Sequence, residues 1–478
     1  MSLLHEDAYI DGRWFSGAER FEVLDPATGE AVAAVARCTA DDTRRAVAAA
    51  ERALPAWSTL PARERAAALH RLVEAMAANE DELARLLTRE QGKPLAEARG
   101  ELRYGASFLT FFAEEARRLY GETIPSPRAG SRLLVLRQPI GVGAAITPWN
   151  FPSAMIARKL GAALAVGCTL VVKPAEATPL SALALADLAE QAGIPAGVFN
   201  VVTGDADDAP TIGRVLCEDP RVRALSFTGS TEVGKLLLRQ CAATVKRVSL
   251  ELGGNAPFLV FDDADVEAAV EGCMTAKFRN AGQTCVAANR ILVQRGVYEA
   301  FVEQLGARIA ALRVGPGFDE GVAIGPLIDE AALLKVEEHV ADARARGATV
   351  RVGGRRHALG RTFFEPTLLE GVSPEMRMTR EETFGPVAGV MPFETEAEAL
   401  RMANDSRAGL AAYFYARDVG RVWRVSEGLE YGMVGVNTGL VSTAEAPFGG
   451  VKESGLGREG SHHGVEEWTE LKYVCLGM

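Results

Sequence analysis

Three segments of the chain place side chains that could together carry out acyl chemistry. Cys285 lies in FRNAGQTCVAANR, Glu251 precedes a Gly-Gly turn in LELGGN, and Asn150 follows an apolar run in ITPWNFP. A thiol, a carboxylate and a neutral amide are the nucleophile, general base and oxyanion donor that acyl transfer needs. A single cysteine among small residues is more often an inert buried side chain. The sequence therefore predicts a thioester site only if tertiary structure brings the three groups together.

The segment SFTGSTEVG could bind a phosphate group. A strand at 224–227 leads into Gly229, and Ser230 stands at the start of a helix. The unpaired N–H groups and positive dipole end of a helix favour an anion there. The glycine spacing differs from the usual dinucleotide fingerprint, so an ordinary strand-to-helix turn is an equal alternative.

A second candidate for cofactor binding is TLVVKPAEATP. Lys173 ends an apolar strand, where burying its ammonium group is costly unless it has a partner. Ligands of open α/β sheets bind at such strand ends, so Lys173 could donate to a ribose and Glu176 could accept from one. The alternative is a strand-end lysine that reaches solvent beside a solvated glutamate.

The elements that must position these residues follow from the apolar periodicity. Residues 39–118 are helical in pattern, and TADDTRRAVAAAERAL offers a helix cap at Thr39 or Asp41. Between 141 and 252, and again between 253 and 436, short apolar runs alternate with helical stretches, which indicates parallel, doubly wound sheets. Residues 131–150 and the C-terminal TELKYVCL are extended in pattern. We expect two α/β domains and an extended element outside both.

Composition excludes several classes of function. The net charge of -11 argues against a nucleic-acid surface. The seven cysteines form no CxxC pair and the six histidines fall outside every motif, so neither a disulfide framework nor a metal site is expected. Residues 160–172 are among the longest apolar stretches and are too short to span a bilayer, and the N-terminal segment lacks the pattern of a signal peptide. We expect a cytoplasmic protein that does not enter membranes.

Seven motifs resemble those of the NAD(P)-dependent aldehyde dehydrogenase superfamily in order and spacing. They are ITPWNFP, KPAEATP, SFTGSTEVG, LELGG, FRNAGQTC, EETFGP and PFGGVKESGLGREG, and the resemblance extends over about residues 8–476. PSAMIARK, GLAAYFYARD and GLGREGS further resemble the succinate-semialdehyde dehydrogenase branch. The resemblance implies an α/β fold with two doubly wound domains, one for the cofactor and one for catalysis, plus an extended β oligomerisation arm.

The resemblance also implies domain boundaries. The NAD(P)-binding domain is expected at 1–121 and 140–252, and the catalytic domain at 253–440. The arm is expected at 122–139 and 460–478, and residues 441–459 are expected to return to the site. An arm of this kind implies a homodimer or homotetramer.

Site roles are carried over from the family residue by residue. Cys285 matches the nucleophile, Glu251 the general base, and Asn150 the side-chain oxyanion donor that acts with the N–H of Cys285. Arg158, Arg279 and Ser442 match the branch residues that bind the distal carboxylate of the substrate, although either arginine could equally form an ordinary salt bridge. The residues that match the cofactor site are Thr147, Pro148, Trp149, Lys173, Glu176, Gly229, Ser230, Glu382 and Phe384.

The implied reaction is oxidation of succinate semialdehyde through a thioester on Cys285, with glutarate semialdehyde as the nearest rival. Acyl transfer to coenzyme A or phosphate, and a non-catalytic relative, are further alternatives. A carboxylate at Glu176 would repel the 2′-phosphate of NADP, so NAD is the expected cofactor and NADP a possible one. Ala287 stands where some relatives carry a second cysteine, so no local disulfide with Cys285 is expected.

Overall fold

Two large sheets with helices packed against them make up most of the computed structural model, which describes residues 2–478. The strands are β1 (Ala8–Ile10), β2 (Arg13–Phe15), β3 (Arg20–Leu24), β4 (Ala31–Ala36), β5 (Glu122–Ile124), β6 (Ser131–Pro139), β7 (Val142–Ile146), β8 (Thr169–Lys173), β9 (Phe199–Val201), β10 (Val222–Thr228), β11 (Arg247–Glu251), β12 (Ala256–Val260), β13 (Ala288–Gln294), β14 (Thr349–Val352), β15 (Thr367–Glu370), β16 (Val387–Phe393), β17 (Ala408–Gly409), β18 (Ala411–Tyr415), β19 (Met433–Val436), β20 (Val451–Lys452), β21 (Gly455–Leu456) and β22 (Thr469–Gly477).

The helices alternate with these strands along much of the chain. They are α1 (Ala40–Thr59), α2 (Ala62–Ala78), α3 (Glu80–Gln91), α4 (Leu95–Glu115), α5 (Pro152–Val166), α6 (Leu180–Gln191), α7 (Ala209–Glu218), α8 (Thr231–Cys241), α9 (Val266–Phe278), α10 (Tyr298–Ala310), α11 (Glu330–Ala345), α12 (Arg377–Arg380), α13 (Glu396–Asn404) and α14 (Val419–Gly428).

The first large sheet has the strand order β2-β1-β9-β8-β7-β10-β11-β21. Its central strands are parallel, with Ile146 beside Lys173 and Thr228 beside Glu251. Because the carboxyl ends of parallel strands meet at one edge, the segments that follow β7, β8, β10 and β11 gather there. This edge holds most of the candidate residues of the site.

Two helices show how the local sequence builds this half. Helix α1 begins after the predicted cap Thr39, whose hydroxyl accepts from the N–H of Asp42 while the Asp42 carboxylate accepts from the N–H of Thr39. Helix α5 is buried along its whole length, so its alanines let it pack between α4 and the sheet. Helix α5 ends at Gly167, whose positive φ of 100° suits glycine.

The second large sheet has the order β14-β15-β16-β13-β12-β18-β19. All of its pairs are parallel except β14 with β15 at one edge. Strands β12, β13 and β16 are rich in β-branched and aliphatic residues and are almost entirely buried, as expected for a sheet covered on both faces. The α/β class predicted from the alternating pattern is confirmed.

A third, antiparallel sheet has the order β22-β6-β5. Strands β6 and β22 pair over nine positions, from Ser131 with Gly477 to Pro139 with Thr469. Large apolar side chains on this sheet are exposed: Ile124, Leu136, Leu471, Tyr473 and Leu476.

Residues 8–36 contain four strands that no sequence pattern indicated. Strands β1 and β2 extend the first sheet, and β3 and β4 form a hairpin beside it. These strands are short, so their apolar alternation is too brief to detect. Among residues 2–478, no helix has the length and apolarity to cross a membrane, and no group of His, Cys, Asp or Glu is arranged to hold a metal.

Candidate active site

Cys285, Glu251 and Asn150 come together between the two large sheets. Two cavities meet at Cys285, one of about 280 Å³ and one of about 420 Å³. The larger cavity, the cofactor-side cavity, is also lined by Glu251 and Asn150, whereas the smaller, the substrate-side cavity, is lined by both candidate arginines. The thiol therefore lies where two cavities with different lining residues meet.

The loop that carries Cys285 is held in a strained conformation. Asn280 and Ala281 adopt left-handed φ values of 50° and 53°, which cost free energy for residues other than glycine. The side-chain oxygen of Gln283 accepts from the N–H of Ile328 at 3.0 Å. A Cβ atom on Gly254 would overlap the main-chain oxygen of Cys285, so the Gly-Gly turn after Glu251 lets the two segments approach.

Asn150 is anchored so that part of its amide stays free. Its Nδ2 donates to the main-chain oxygen of Gln283 at 3.0 Å, and an amide nitrogen carries two hydrogens. One hydrogen is therefore left for an oxyanion. The N–H of Cys285 has no acceptor among residues 2–478, so a second donor is free in the same place.

Glu251 is a buried carboxyl group without hydrogen bonds. It is 3% exposed, and neither oxygen has a partner among the described residues. Burial raises the pKa of Glu251 to about 8, with Arg158 opposing the rise and Glu459 adding to it. A carboxyl group with such a pKa can exchange protons near neutral pH.

The thiol of Cys285 is less acidic than a free cysteine in this environment. Burial raises its pKa well above the usual value, and Glu251 and Glu382 add to the rise, whereas Arg158 and Arg279 lower it. The thiol is therefore protonated at neutral pH and needs a base or a bound cation before it can attack.

The cofactor-side cavity contains six of the nine predicted cofactor residues. Ser230 caps helix α8, with its hydroxyl accepting from the N–H of Val233 at 3.3 Å, and the other N–H groups of a helix's first turn can bind an anion. The six residues that line the cavity are Pro148, Trp149, Gly229, Ser230, Glu382 and Phe384.

An aromatic pair and a buried carboxyl group also line this cavity. The rings of Trp149 and Phe384 lie 5.5 Å apart and nearly perpendicular, and Phe384 has a left-handed φ of 54°. Glu382 accepts from the N–H of Gly254 at 3.3 Å, and burial raises its pKa to about 7. Flat apolar walls, a helix N-terminus and a carboxyl acceptor fit a dinucleotide.

The other three predicted cofactor residues lie outside the lining of this cavity, at the neighbouring strand ends. The Nζ of Lys173 lies 3.1 Å from Oε2 of Glu176, and the N–H of Thr147 donates to the carbonyl of Lys173 at 3.1 Å. Lys173 is 4% exposed and Glu176 is half-buried. The two candidate ribose-binding groups are therefore paired with each other.

The substrate-side cavity brings Arg158, Arg279 and Ser442 beside Cys285. The Arg158 side chain is fully buried and its Nε forms an ion pair with Glu459. Arg279 is half-buried, stacks over the ring of Phe151 at 5.4 Å, and has no ion pair among the described residues. The two arginines thus differ: one is neutralised and the other is an unpaired cation at a cavity.

Glu459 forms ion pairs with two neighbouring cations of helix α5: Arg158, which lines this cavity, and Lys159. Burial alone would raise the pKa of Glu459, but Arg158 and Lys159 outweigh it and hold the pKa below its usual value. The ammonium of Lys159 also donates to the hydroxyl of Thr228 at 2.7 Å. The sequence did not single out Lys159 or Glu459, because the two residues are 300 positions apart and only the folded chain shows that they form an ion pair.

Further lining residues of the substrate-side cavity were also missed. Tyr104 projects from α4, and its hydroxyl is buried without a hydrogen-bond partner among the described residues. Nothing in the sequence distinguishes it from other helical tyrosines. The other lining side chains that were missed include Glu97, Glu101, Phe151, Met155, Leu440 and Phe448.

Comparison with known proteins identifies the family of the chain. Residues 14–474 match the model of the aldehyde dehydrogenase family. A glutarate-semialdehyde dehydrogenase of Pseudomonas aeruginosa is 59% identical over 99% of this chain and 98% of its own. A succinate-semialdehyde dehydrogenase [NADP(+)] of Escherichia coli is 57% identical over 100% and 99%, and a 3-sulfolactaldehyde dehydrogenase of Pseudomonas putida is 60% identical over 100% and 98%. The chain therefore belongs to the aldehyde dehydrogenase family, whose enzymes oxidise aldehydes with NAD(P).

Proposed function

We propose that this enzyme oxidises a small aldehyde with a negatively charged far end, with succinate semialdehyde as the leading substrate and glutarate semialdehyde as the alternative. The three relatives described above are named for aldehydes that carry a carboxylate or a sulfonate. The cavity of about 280 Å³ suits a short substrate of this kind.

The observation that carries this proposal is the pair of arginines in one cavity with the thiol. Arg158 comes from α5 and Arg279 follows α9, yet both line the space beside Cys285. A guanidinium group binds a carboxylate in a bidentate fork. Arg279 lacks an ion-pair partner, and Ser442 and Tyr104 add hydroxyl groups to the same wall. Glu97 and Glu101 line the same cavity, but Glu101 is paired with Lys93 and burial raises the pKa of Glu97. The unpaired cation of Arg279 therefore still attracts an anion and leaves the other end of the substrate near the sulfur.

The first chemical step is attack of the Cys285 sulfur on the aldehyde carbon. The thiol proton passes to the carboxylate of Glu251, whose oxygens have no other hydrogen-bond partner among residues 2–478. The new oxyanion then accepts from the Asn150 amide and the Cys285 N–H, and losing one such donor typically costs about 3 kcal/mol of barrier. When NAD(P) is bound, it supplies the hydride acceptor. Loss of hydride from the tetrahedral carbon leaves a thioester on Cys285.

Hydrolysis of the thioester completes the reaction. Glu251 first releases the proton that it took from the thiol to solvent, which its pKa of about 8 allows. It then takes a proton from water, the hydroxide oxygen bonds to the acyl carbon, and the C–S bond breaks to release the acid and the thiolate. The buried, unbonded Glu251 favours water as the acceptor over coenzyme A or phosphate. Turnover without any added acceptor is the expected result, and a strict requirement for one would contradict this assignment. Absence of any turnover would favour a non-catalytic relative.

We infer a preference for NAD over NADP. Trp149, Gly229, Ser230, Glu382 and Phe384 would hold the nicotinamide and pyrophosphate, and Lys173 and Glu176 the adenosine ribose. If the adenosine ribose binds at Lys173 and Glu176, the carboxylate of Glu176 would repel a 2′-phosphate on that ribose. The E. coli relative is named for NADP, so the test is direct: kcat/KM should be higher with NAD, and a higher value with NADP refutes the inference.

We further infer a homodimer or homotetramer formed through the β5-β6-β22 sheet. Its exposed apolar side chains lie on both faces, Leu471 and Tyr473 on one and Leu136 and Leu476 on the other, and exposed apolar surface of this kind favours association. Light scattering after size exclusion should give a mass of two or four chains, and replacing Leu471 and Tyr473 by serine should lower it.

The substrate proposal is tested with matched aldehydes on two enzymes. Succinate semialdehyde is compared with butanal, and glutarate semialdehyde with pentanal, on the wild type and on Arg279→Ala. We expect kcat/KM for the acids to fall by about 10²-fold or more in the variant, because an anion loses a charged, partly desolvated partner. Values for the uncharged aldehydes should stay within about threefold.

Arg308→Ala is the control, since Arg308 forms an exposed ion pair with Glu271 and does not line either cavity. It should leave all four values unchanged. Two results would contradict the proposal that the arginines bind the anionic end of the substrate. One is a kcat/KM for the acids that is no higher than that for the uncharged aldehydes, and the other is a higher value for the acids that persists in Arg279→Ala.

A further inference from the structure

Helix α4 carries two carboxyl groups, Glu97 and Glu101, that lie one turn apart, line the substrate-side cavity and take no part in the reaction steps proposed above. Glu101 accepts from the N–H groups of Ser153 at 2.9 Å and Ala154 at 3.2 Å. These N–H groups open helix α5, where a negative charge is favourable. Glu101 therefore fixes the start of the segment that follows Asn150.

Lys93 joins this carboxylate to Asn150 itself. Its Nζ lies 2.6 Å from Oε2 of Glu101 and donates to the main-chain oxygen of Asn150 at 2.7 Å. The side chains of Lys93 and Glu101 are both 0% exposed. An ion pair buried this deeply is costly unless its geometry is well matched, so the position of the Asn150 main chain is tightly set by a buried cation.

Glu97 holds the loop on the opposite side of the site. Its Oε2 accepts from the N–H of Asn280 at 2.8 Å. The Nδ2 of Asn280 in turn donates to the main-chain oxygens of Asn150 at 3.0 Å and Gln283 at 3.3 Å. One face of α4 thus fixes both the oxyanion segment and the loop that leads to Cys285.

We propose that Lys93, Glu97 and Glu101 are positioning residues that fix the Asn150 amide relative to the Cys285 sulfur before an aldehyde binds. Preorganised donors stabilise an oxyanion without rearranging during the reaction, and a displacement of about 1 Å can cost about 100-fold in rate. The inference rests on the proposed roles of Asn150 and Cys285, and it does not depend on which aldehyde is the substrate.

The test is a double-mutant cycle between this cluster and Asn150. Lys93→Met is combined with Glu101→Gln, which removes both charges and keeps an acceptor oxygen for α5. We expect this pair to lower kcat by about 10- to 100-fold in the wild-type background and by less than about twofold in Asn150→Ala. The aldehyde used is the one that the wild type oxidises fastest.

Alkylation of Cys285 by iodoacetamide is the second readout, because it needs the sulfur but no oxyanion donor. Its rate should stay within about twofold in every variant. Arg103→Met combined with Glu80→Gln is the matched control, since this exposed ion pair joins the same helix to α3. The control should change neither rate.

Three results would overturn the inference. The first is an unchanged kcat in the paired variant. The second is an equal loss of kcat whether residue 150 is Asn150 or the Asn150→Ala substitution. The third is an alkylation rate that falls as much as kcat does. If the paired variant does not fold, Glu97→Gln is measured in the same cycle with the same expectations. If the four aldehydes compared above show no preference for the acids, only the proposed substrate is refuted. A wild type that oxidises no aldehyde refutes the proposed function and this inference with it.

Discussion

The two cavities that meet at Cys285 differ in the charge of their walls. The substrate-side cavity is lined by two guanidinium groups and two carboxyl groups, whereas the cofactor-side cavity is lined by three carboxyl groups and one ammonium group. These are Arg158, Arg279, Glu97 and Glu101 on the substrate side, and Glu251, Glu382, Asp329 and Lys335 on the cofactor side. The two arginines suit an anionic aldehyde, and Glu251 and Glu382 suit proton transfer and ribose binding. The comparison shows that one sulfur can serve two ligands of different charge because each approaches through its own compartment.

The largest expected effect comes from removing the base on the cofactor side. Glu251→Gln should lower steady-state turnover by about 10²- to 10⁴-fold, because water is no longer activated. One enzyme equivalent of NADH should still form if a second group can take the thiol proton, leaving a thioester detectable by mass spectrometry. Glu267→Gln, an exposed substitution on α9, is the control. Normal turnover in Glu251→Gln would show that the cofactor-side cavity does not supply the base, so the two cavities would not differ in this role.

The two arginines should differ most in stability. Arg158→Met leaves buried Glu459 with Lys159 alone, and removing one partner of a buried pair costs about 3 kcal/mol or more of unfolding free energy. Arg279→Met should cost less than about 1 kcal/mol, because Arg279 has no ion-pair partner. Urea unfolding measures both values. Equal losses would mean that the contrast between a neutralised and an unpaired arginine is wrong.

The pH dependence of deacylation tests the raised pKa of Glu251. The base acts as a carboxylate, so the rate should rise with pH and level off above a pKa of about 8. Between pH 6 and pH 8 the increase should be about 50-fold, following the deprotonated fraction. Stopped-flow decay of the thioester gives this rate. A profile that is flat above pH 6 would place the pKa near that of an ordinary glutamate.

The smallest expected effect concerns Tyr104. Tyr104→Phe should lower kcat/KM for succinate semialdehyde about fivefold, because the variant loses one hydrogen bond to the substrate anion and such a bond contributes about 1 kcal/mol. Butanal should be unaffected, since it offers no acceptor at that end. An equal loss for both aldehydes would make Tyr104 a packing residue of the cavity.

Local patterns in the sequence predicted much of the secondary structure near the site. The apolar run before Lys173, the turn at Gly229 and the cap at Thr39 lie on the expected elements, because each depends on neighbouring residues alone. The short N-terminal strands were missed, since strands of three to six residues are too brief for apolar alternation to show. The predicted domain boundaries and residue roles stay predictions.

The sequence by itself determined the kinds of chemistry available: a thiol, a carboxylate and an amide at strand ends and loops, and a resemblance that implied their roles. Tertiary structure decided which of these groups share a cavity and what their surroundings do to them. The raised pKa of Glu251, the pairing of Arg158 with Glu459 and the buried link from Lys93 to Asn150 all join residues far apart in sequence. Burial and charge pairing depend on the whole packed chain, which no local window of residues records.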